Sequence, residues 1–68
     1  MLKITLKAAR INAGLSQKEA AEKLGVSNKT LCKWESGSSY PNAKMIDALC
    51  SLYGVHYDSI IFLHNNSL

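Results

Sequence analysis

The sequence is poor in the residues from which catalytic, metal-binding and secreted domains are usually built. Its two cysteines, Cys32 and Cys50, stand far apart, and with the histidines at 56 and 64 they complete no zinc spacing. Two free thiols and no metal are expected. Apolar runs are short: the longest, IIFL at 60–63, cannot cross a bilayer, and the start MLKITLKAAR carries charges inside its apolar stretch, unlike a signal peptide. A cytoplasmic protein with no membrane partner is expected. There is no glycine-rich phosphate loop, and neither histidine has a nucleophile or paired carboxylate at a telling spacing. With 68 residues, the chain buries only about 60% of its unfolded surface and leaves no room for a deep cleft. An enzyme, a cofactor and a small-molecule ligand are therefore not expected. No repeat or low-complexity segment interrupts the chain, which reads as one domain over 1–63 with a frayed tail at 64–68.

What the chain does contain is a modest basic excess, eight Lys and Arg against five Asp and Glu, for a net charge of +3. That balance favours a polyanionic partner only weakly. Its distribution says more. Glu19, Glu22, Asp47 and Asp58 lie away from the stretch 27–36, which holds Lys29 and Lys33.

The stretch from Ser16 to Gly37, SQKEAAEKLGVSNKTLCKWESG, reads as two short helices joined by a tight turn. Ser16 and Glu19 have the spacing of a capping box, which starts helix 2 at Gln17. Ala20 and Ala21 permit a close helix approach. Gly25 can take the left-handed conformation that ends a helix, Val26 offers an apolar plug, and Ser27 caps helix 3. In helix 3, Leu31, Trp34 and Glu35 fall on one side, and Asn28, Lys29, Cys32, Lys33 and Ser36 on the other. The outward side is polar and basic with no acid, as suits a helix laid in the major groove of DNA. Asn can pair with adenine, Lys can reach guanine or phosphate, and a carboxylate would be repelled. Asn28, Lys29 and Lys33 are the candidate base contacts. The plainer alternative is the solvated face of a small helical bundle.

These residues resemble the helix-turn-helix of the lambda-type phage repressor and Cro family, the XRE-like regulators. The resemblance covers roughly residues 2–63 and is carried by Arg10, Gly14-Leu15-Ser16-Gln17, Ala21, Leu24-Gly25-Val26-Ser27, Trp34-Glu35, Gly37, Pro41 and Tyr53-Gly54-Val55. The segment YGVHYDSIIFL is further similar to small prophage regulators of Gram-positive bacteria. The resemblance implies an all-α, compact five-helix DNA-binding domain with the motif formed by helices 2 and 3. It supports Asn28, Lys29 and Lys33 as base-reading positions, but the bases read do not transfer. It also implies repression by promoter occlusion. A homodimer should place two recognition helices roughly 34 Å apart on an inverted repeat. Two alternatives stay open: a helical protein-interaction module such as an antitoxin or adaptor, and the N-terminal DNA-binding fragment of a longer repressor.

Periodicity predicts helix 1 over residues 2–13, with Leu2, Leu6, Ala9 and Ala13 inward. Arg10 shares that stripe, and Glu35 is the one acid whose phase points inward, so the two are expected to form a partly buried ion pair. The resemblance implies the same pair; the alternative is an Arg10 that reaches solvent or phosphate. Gln17, at a helix N-terminus, is a candidate phosphate contact, a role the resemblance also implies. Ser27, Thr30 and Ser36 flank the base-reading positions and join it as phosphate candidates, with Lys44 at the start of helix 4. The loop Ser38–Tyr40 is either a phosphate contact or an ordinary connector. Tyr40 stands where some family members carry a basic residue. Cys32 reads as a small neutral contact, and Lys18 and Lys23 as solvated charges.

Asn42 should cap helix 4, whose Ile46, Leu49, Cys50 and Tyr53 make an inward stripe ended by Gly54. A final helix is expected at about Tyr57–Leu63. Because one short helix cannot turn Ile60, Ile61, Phe62 and Leu63 to one core, part of this cluster is a candidate dimer surface. The alternative is that all four complete the core.

Overall fold

The computed structural model describes residues 3–63. Within them lie β1 (Ile4–Thr5), α1 (Leu6–Asn12), α2 (Gln17–Leu24), α3 (Asn28–Ser36) and α4 (Ala43–Tyr53), then a single 3₁₀ turn (Tyr57–Ser59) and β2 (Ile60–Ile61). Each α-helix starts where a side chain captures a free backbone N–H. Thr5 Oγ1 accepts from Ala8 N at 3.1 Å, Ser16 Oγ from Glu19 N at 3.0 Å, Ser27 Oγ from Thr30 N at 3.1 Å and Asn42 Oδ1 from Met45 N at 2.9 Å. Caps of this kind are worth about 1 kcal/mol each, enough to fix the start of helices this short.

The first and last elements differ from the sequence expectation. Helix 1 begins at Leu6, not residue 2, because Thr5 is its cap and Ile4–Thr5 is extended. Leu2 lies outside the described residues, and Ala13 is an exposed C-cap rather than a core residue. The expected helix at Tyr57–Leu63 is only one 3₁₀ turn. Ile60 and Ile61 instead pair in parallel with Ile4 and Thr5. Among the described residues, four α-helices and a two-stranded sheet thus stand where five helices were expected. β-branched isoleucines suit the extended conformation, and alternation of sides resolves the IIFL problem. Ile60 enters the core while Ile61 stays 40% exposed. The tail at 64–68 lies outside the described residues.

The core joins Leu6 and Ala9 of α1, Ala20 and Ala21 of α2, Leu31 and Trp34 of α3, Leu49 and Tyr53 of α4, and Ile60 of β2. Ala20 is fully buried, so the small residues bring α2 close to α3 and α4. Ile46 and Cys50 are only half-buried. Burial, with Asp47 nearby, pushes the Cys50 thiol up.

Tyr53 carries a buried hydroxyl with no hydrogen-bond partner among the described residues. Burial pushes its pKa up to about 12, with the charge of Glu35 adding to the shift and Arg10 opposing it. A buried hydroxyl without a partner carries its full desolvation penalty. Tyr53→Phe should therefore keep or raise the melting temperature at neutral pH. A group with a raised folded pKa contributes stability that is complete below its unfolded value of 10.0 and is lost as pH climbs toward about 12. The phenylalanine variant should lack that part of the alkaline loss. A melting temperature well below wild type would show that the hydroxyl is bonded.

Candidate nucleic-acid interface

The α2–α3 unit is held in shape by its own backbone. Ser16 and Glu19 exchange the two bonds of a capping box, with Ser16 N donating to Glu19 Oε1 at 2.9 Å. These bonds to Ser16 hold the Glu19 carboxyl below the ordinary carboxylate range. Gly25 turns the chain at φ +74°, a left-handed conformation that side-chain-bearing residues rarely adopt. Val26 N then bonds back to Ala21 O at 3.0 Å, and α3 departs two residues later. The half-buried Val26 packs against the core, which fixes the angle of departure.

On α3, Leu31, Trp34 and Glu35 are buried, whereas Asn28, Lys29, Cys32, Lys33 and Ser36 are exposed. The outward face therefore carries an amide, two ammonium groups, a thiol and a hydroxyl. Four of the predicted phosphate contacts have local partners. Ser27 Oγ caps α3 by accepting from Thr30 N and donates its hydroxyl hydrogen to Thr30 Oγ1 at 2.9 Å, so its donor is engaged by the Thr30 side chain. Thr30 retains its own hydroxyl hydrogen. Ser36 Oγ donates to Lys33 O at 3.1 Å and lies 3.0 Å from Ser38 Oγ. Gln17 Nε2 donates to Glu35 Oε1 at 3.2 Å and keeps a second N–H. Lys44 is exposed on the first turn of α4.

Arg10 and Glu35 join α1 to α3. Arg10 Nε donates to Glu35 Oε2 at 2.7 Å and a second guanidinium nitrogen to Oε1 at 3.4 Å, while the third donates to Leu15 O at 2.9 Å. Both residues are less than a tenth exposed. The network thus ties the α1–α2 turn, the start of α2 and the end of α3 to one buried carboxylate, and charge-assisted forks of this kind fix orientation as well as adding energy.

Beside this network lies an open groove. Lys7, Ser16, Gln17, Cys32 and Ser36 line it, together with Arg10 and Glu35. It brings Gln17 and Ser36 together; the base candidates Asn28, Lys29 and Lys33 lie outside it. Lys7 was missed from the sequence. It sits one turn before Arg10 on α1, and that spacing was the available signal.

Of the proposed dimer residues, Ile60 is committed to the monomer core, which removes it from the set. Ile61 and Leu63 are exposed. Phe62 is half-buried, with Tyr40 and Tyr57 ring centroids 5.8 and 5.9 Å from its own. The two tyrosines, 53% and 58% exposed, extend this surface and were not expected in it. Among the described residues no group of three or more His, Cys, Asp or Glu side chains could hold a metal ion, and no helix is long and apolar enough to cross a membrane.

Known proteins share this stretch. The chain is 41% identical over 56 residues to ImmR, a helix-turn-helix transcriptional regulator of Bacillus subtilis, covering 82% of this chain and 44% of that protein. It is 34% identical over 56 residues to BcrR, a helix-turn-helix transcriptional activator of Enterococcus faecalis, covering 82% and 28%. Over 61 residues it is 31% identical to the antitoxin PezA of Streptococcus pneumoniae, covering 90% and 39%. It thus spans less than half the length of each of these relatives. The profile described as "Helix-turn-helix" matches residues 6–60, from the start of α1 into β2. The chain belongs to the helix-turn-helix family.

Proposed function

We propose that this chain is the sequence-specific, double-stranded DNA-binding part of a transcriptional regulator of the prophage-repressor type. The α2–turn–α3 unit is its helix-turn-helix, and α3 lies in the major groove. The observation that carries this reading is the division of α3: Leu31, Trp34 and Glu35 are buried, and the outward residues include two lysines and an asparagine but no acid. Asn28, Lys29 and Lys33 read base edges. Gln17, Thr30 and Lys44 face phosphates, and Ser27 and Ser36 shape the ends of α3. Two copies meet through the surface around Ile61, Phe62 and Leu63 and recognise an inverted-repeat operator. Occlusion of the promoter then represses transcription. The regulator relatives support this reading; the antitoxin relative favours a second one, in which the module serves a protein partner and the outward face of α3 is dispensable.

Point substitutions separate base reading from phosphate holding. Asn28→Ala and Lys33→Ala should each relax discrimination at particular base pairs by about 1–3 kcal/mol. Gln17→Ala should weaken all duplexes by a similar factor, since phosphates carry no direct sequence information. Binding titrations on operator and random duplexes measure both. An equal loss on the two duplexes for Asn28→Ala would contradict base readout.

A further inference from the structure

Each strand of the two-stranded sheet has one neighbour, so β2 keeps a second edge with no strand beside it among the described residues. Exposure alternates along the chain past the end of β2. Ile60 is 6% exposed and Ile61 40%, Phe62 is half-buried, and Leu63 is 43% exposed. That period of two marks a strand with one face on the core. It runs two residues beyond the pairing with β1, which stops at Thr5 with Ile61 because Leu6 begins α1. Phe62 lies on the inner side against the rings of Tyr40 and Tyr57, so the direction of the strand is set within one chain.

The sequence leaves this edge unprotected. Natural sheets blunt an open edge with lysine or proline, and Ile60 to Leu63 contains neither, nor any charge. The β1 edge differs, since the exposed Lys3 stands directly before Ile4. This difference also selects the occupant. In a two-fold contact a surface meets its own copy, so a charged strand would face its own charge, whereas an uncharged apolar strand is complementary to itself.

We propose that β2 pairs with β2 of a second copy, antiparallel about a two-fold axis, in one sheet of strand order β1, β2, β2, β1. Ile61 and Leu63 of the two copies pack together on its outer face. The proposal rests on the dimeric reading above and specifies it: main-chain hydrogen bonds join the copies, and the outward side chains set the register.

The test uses the full chain without DNA. Isotope-labelled and unlabelled protein are mixed, NMR contacts are collected between chains only, and sedimentation gives the dimer dissociation constant. Interchain contacts between backbone protons at 60–63, in the antiparallel pattern, are expected. Ile61→Lys should raise the dissociation constant by roughly tenfold or more, because it carries a charge into the apolar contact twice. Ile11→Lys, at an exposed position of α1, should leave it unchanged. Both variants should keep the wild-type circular dichroism; if Ile61→Lys does not, Ile61→Thr, which stays β-branched, should weaken the dimer without unfolding the chain. An interface made by side chains alone, or by other elements, would overturn the strand pairing. So would a wild type that stays monomeric at NMR concentration, which would leave the edge to a different protein. Duplex selection judges the DNA reading separately. A strand-paired dimer that selects no duplex would refute that reading and leave the pairing in place, and a duplex-selecting dimer joined elsewhere would do the reverse.

Discussion

Arg10→Ala is expected to lower the stability of the domain by about 3–5 kcal/mol, as removing one partner of a buried ion pair does. The loss comes less from the attraction than from what is left behind. Glu35 would keep its charge in a site less than a tenth exposed, and Leu15 O would lose its guanidinium donor. Denaturant unfolding followed by circular dichroism measures the change. Removing both charges together, as Arg10→Met with Glu35→Leu, should be less destabilising than the sum of the two single changes, since apolar side chains of similar volume leave no stranded charge. Additive losses, or an Arg10→Ala protein as stable as wild type, would show that the pair is an incidental contact.

Trp34→Ala should have an effect of similar size, for a different reason. The indole sits in the core formed by α1, α2 and α4, and truncating a buried aromatic costs about 3–5 kcal/mol through lost transfer energy and the cavity it leaves. Small domains hold only about 5–15 kcal/mol in all, so the variant should be largely unfolded near 37 °C. Its helical signal and melting temperature report this directly. Retained helicity at an unchanged melting temperature would mean that the buried and outward faces of α3 have been exchanged, and the base-reading assignment would fall with them.

The three helices α2, α3 and α4 could be bounded from the sequence because their signals are local. Ser16, Ser27 and Asn42 cap them, and Gly25, Gly37 and Gly54 end them. Phase alone aimed Arg10 and Glu35 inward and Asn28, Lys29 and Lys33 outward. The ends of the chain were not legible in the same way. Two-residue strands show no periodicity, and the pairing of Ile4 with Ile60 joins positions from opposite ends of the domain, where no local rule operates. The Leu2–Leu6–Ala9 spacing suits a helix equally well, and only the cap at Thr5 decides where α1 starts. Lys7 was hidden for a related reason: an exposed lysine gains meaning only from the groove that folding builds beside it.

Whether α3 reads duplex sequence is decided by selecting bound duplexes from a random oligonucleotide pool at near-physiological salt, which suppresses purely electrostatic binding. An inverted repeat whose half-sites lie one helical turn apart should be enriched. Enrichment of a single half-site would keep the reading helix and contradict the dimer. Failure of the folded wild-type protein to enrich any sequence would mean that α3 does not read duplex DNA.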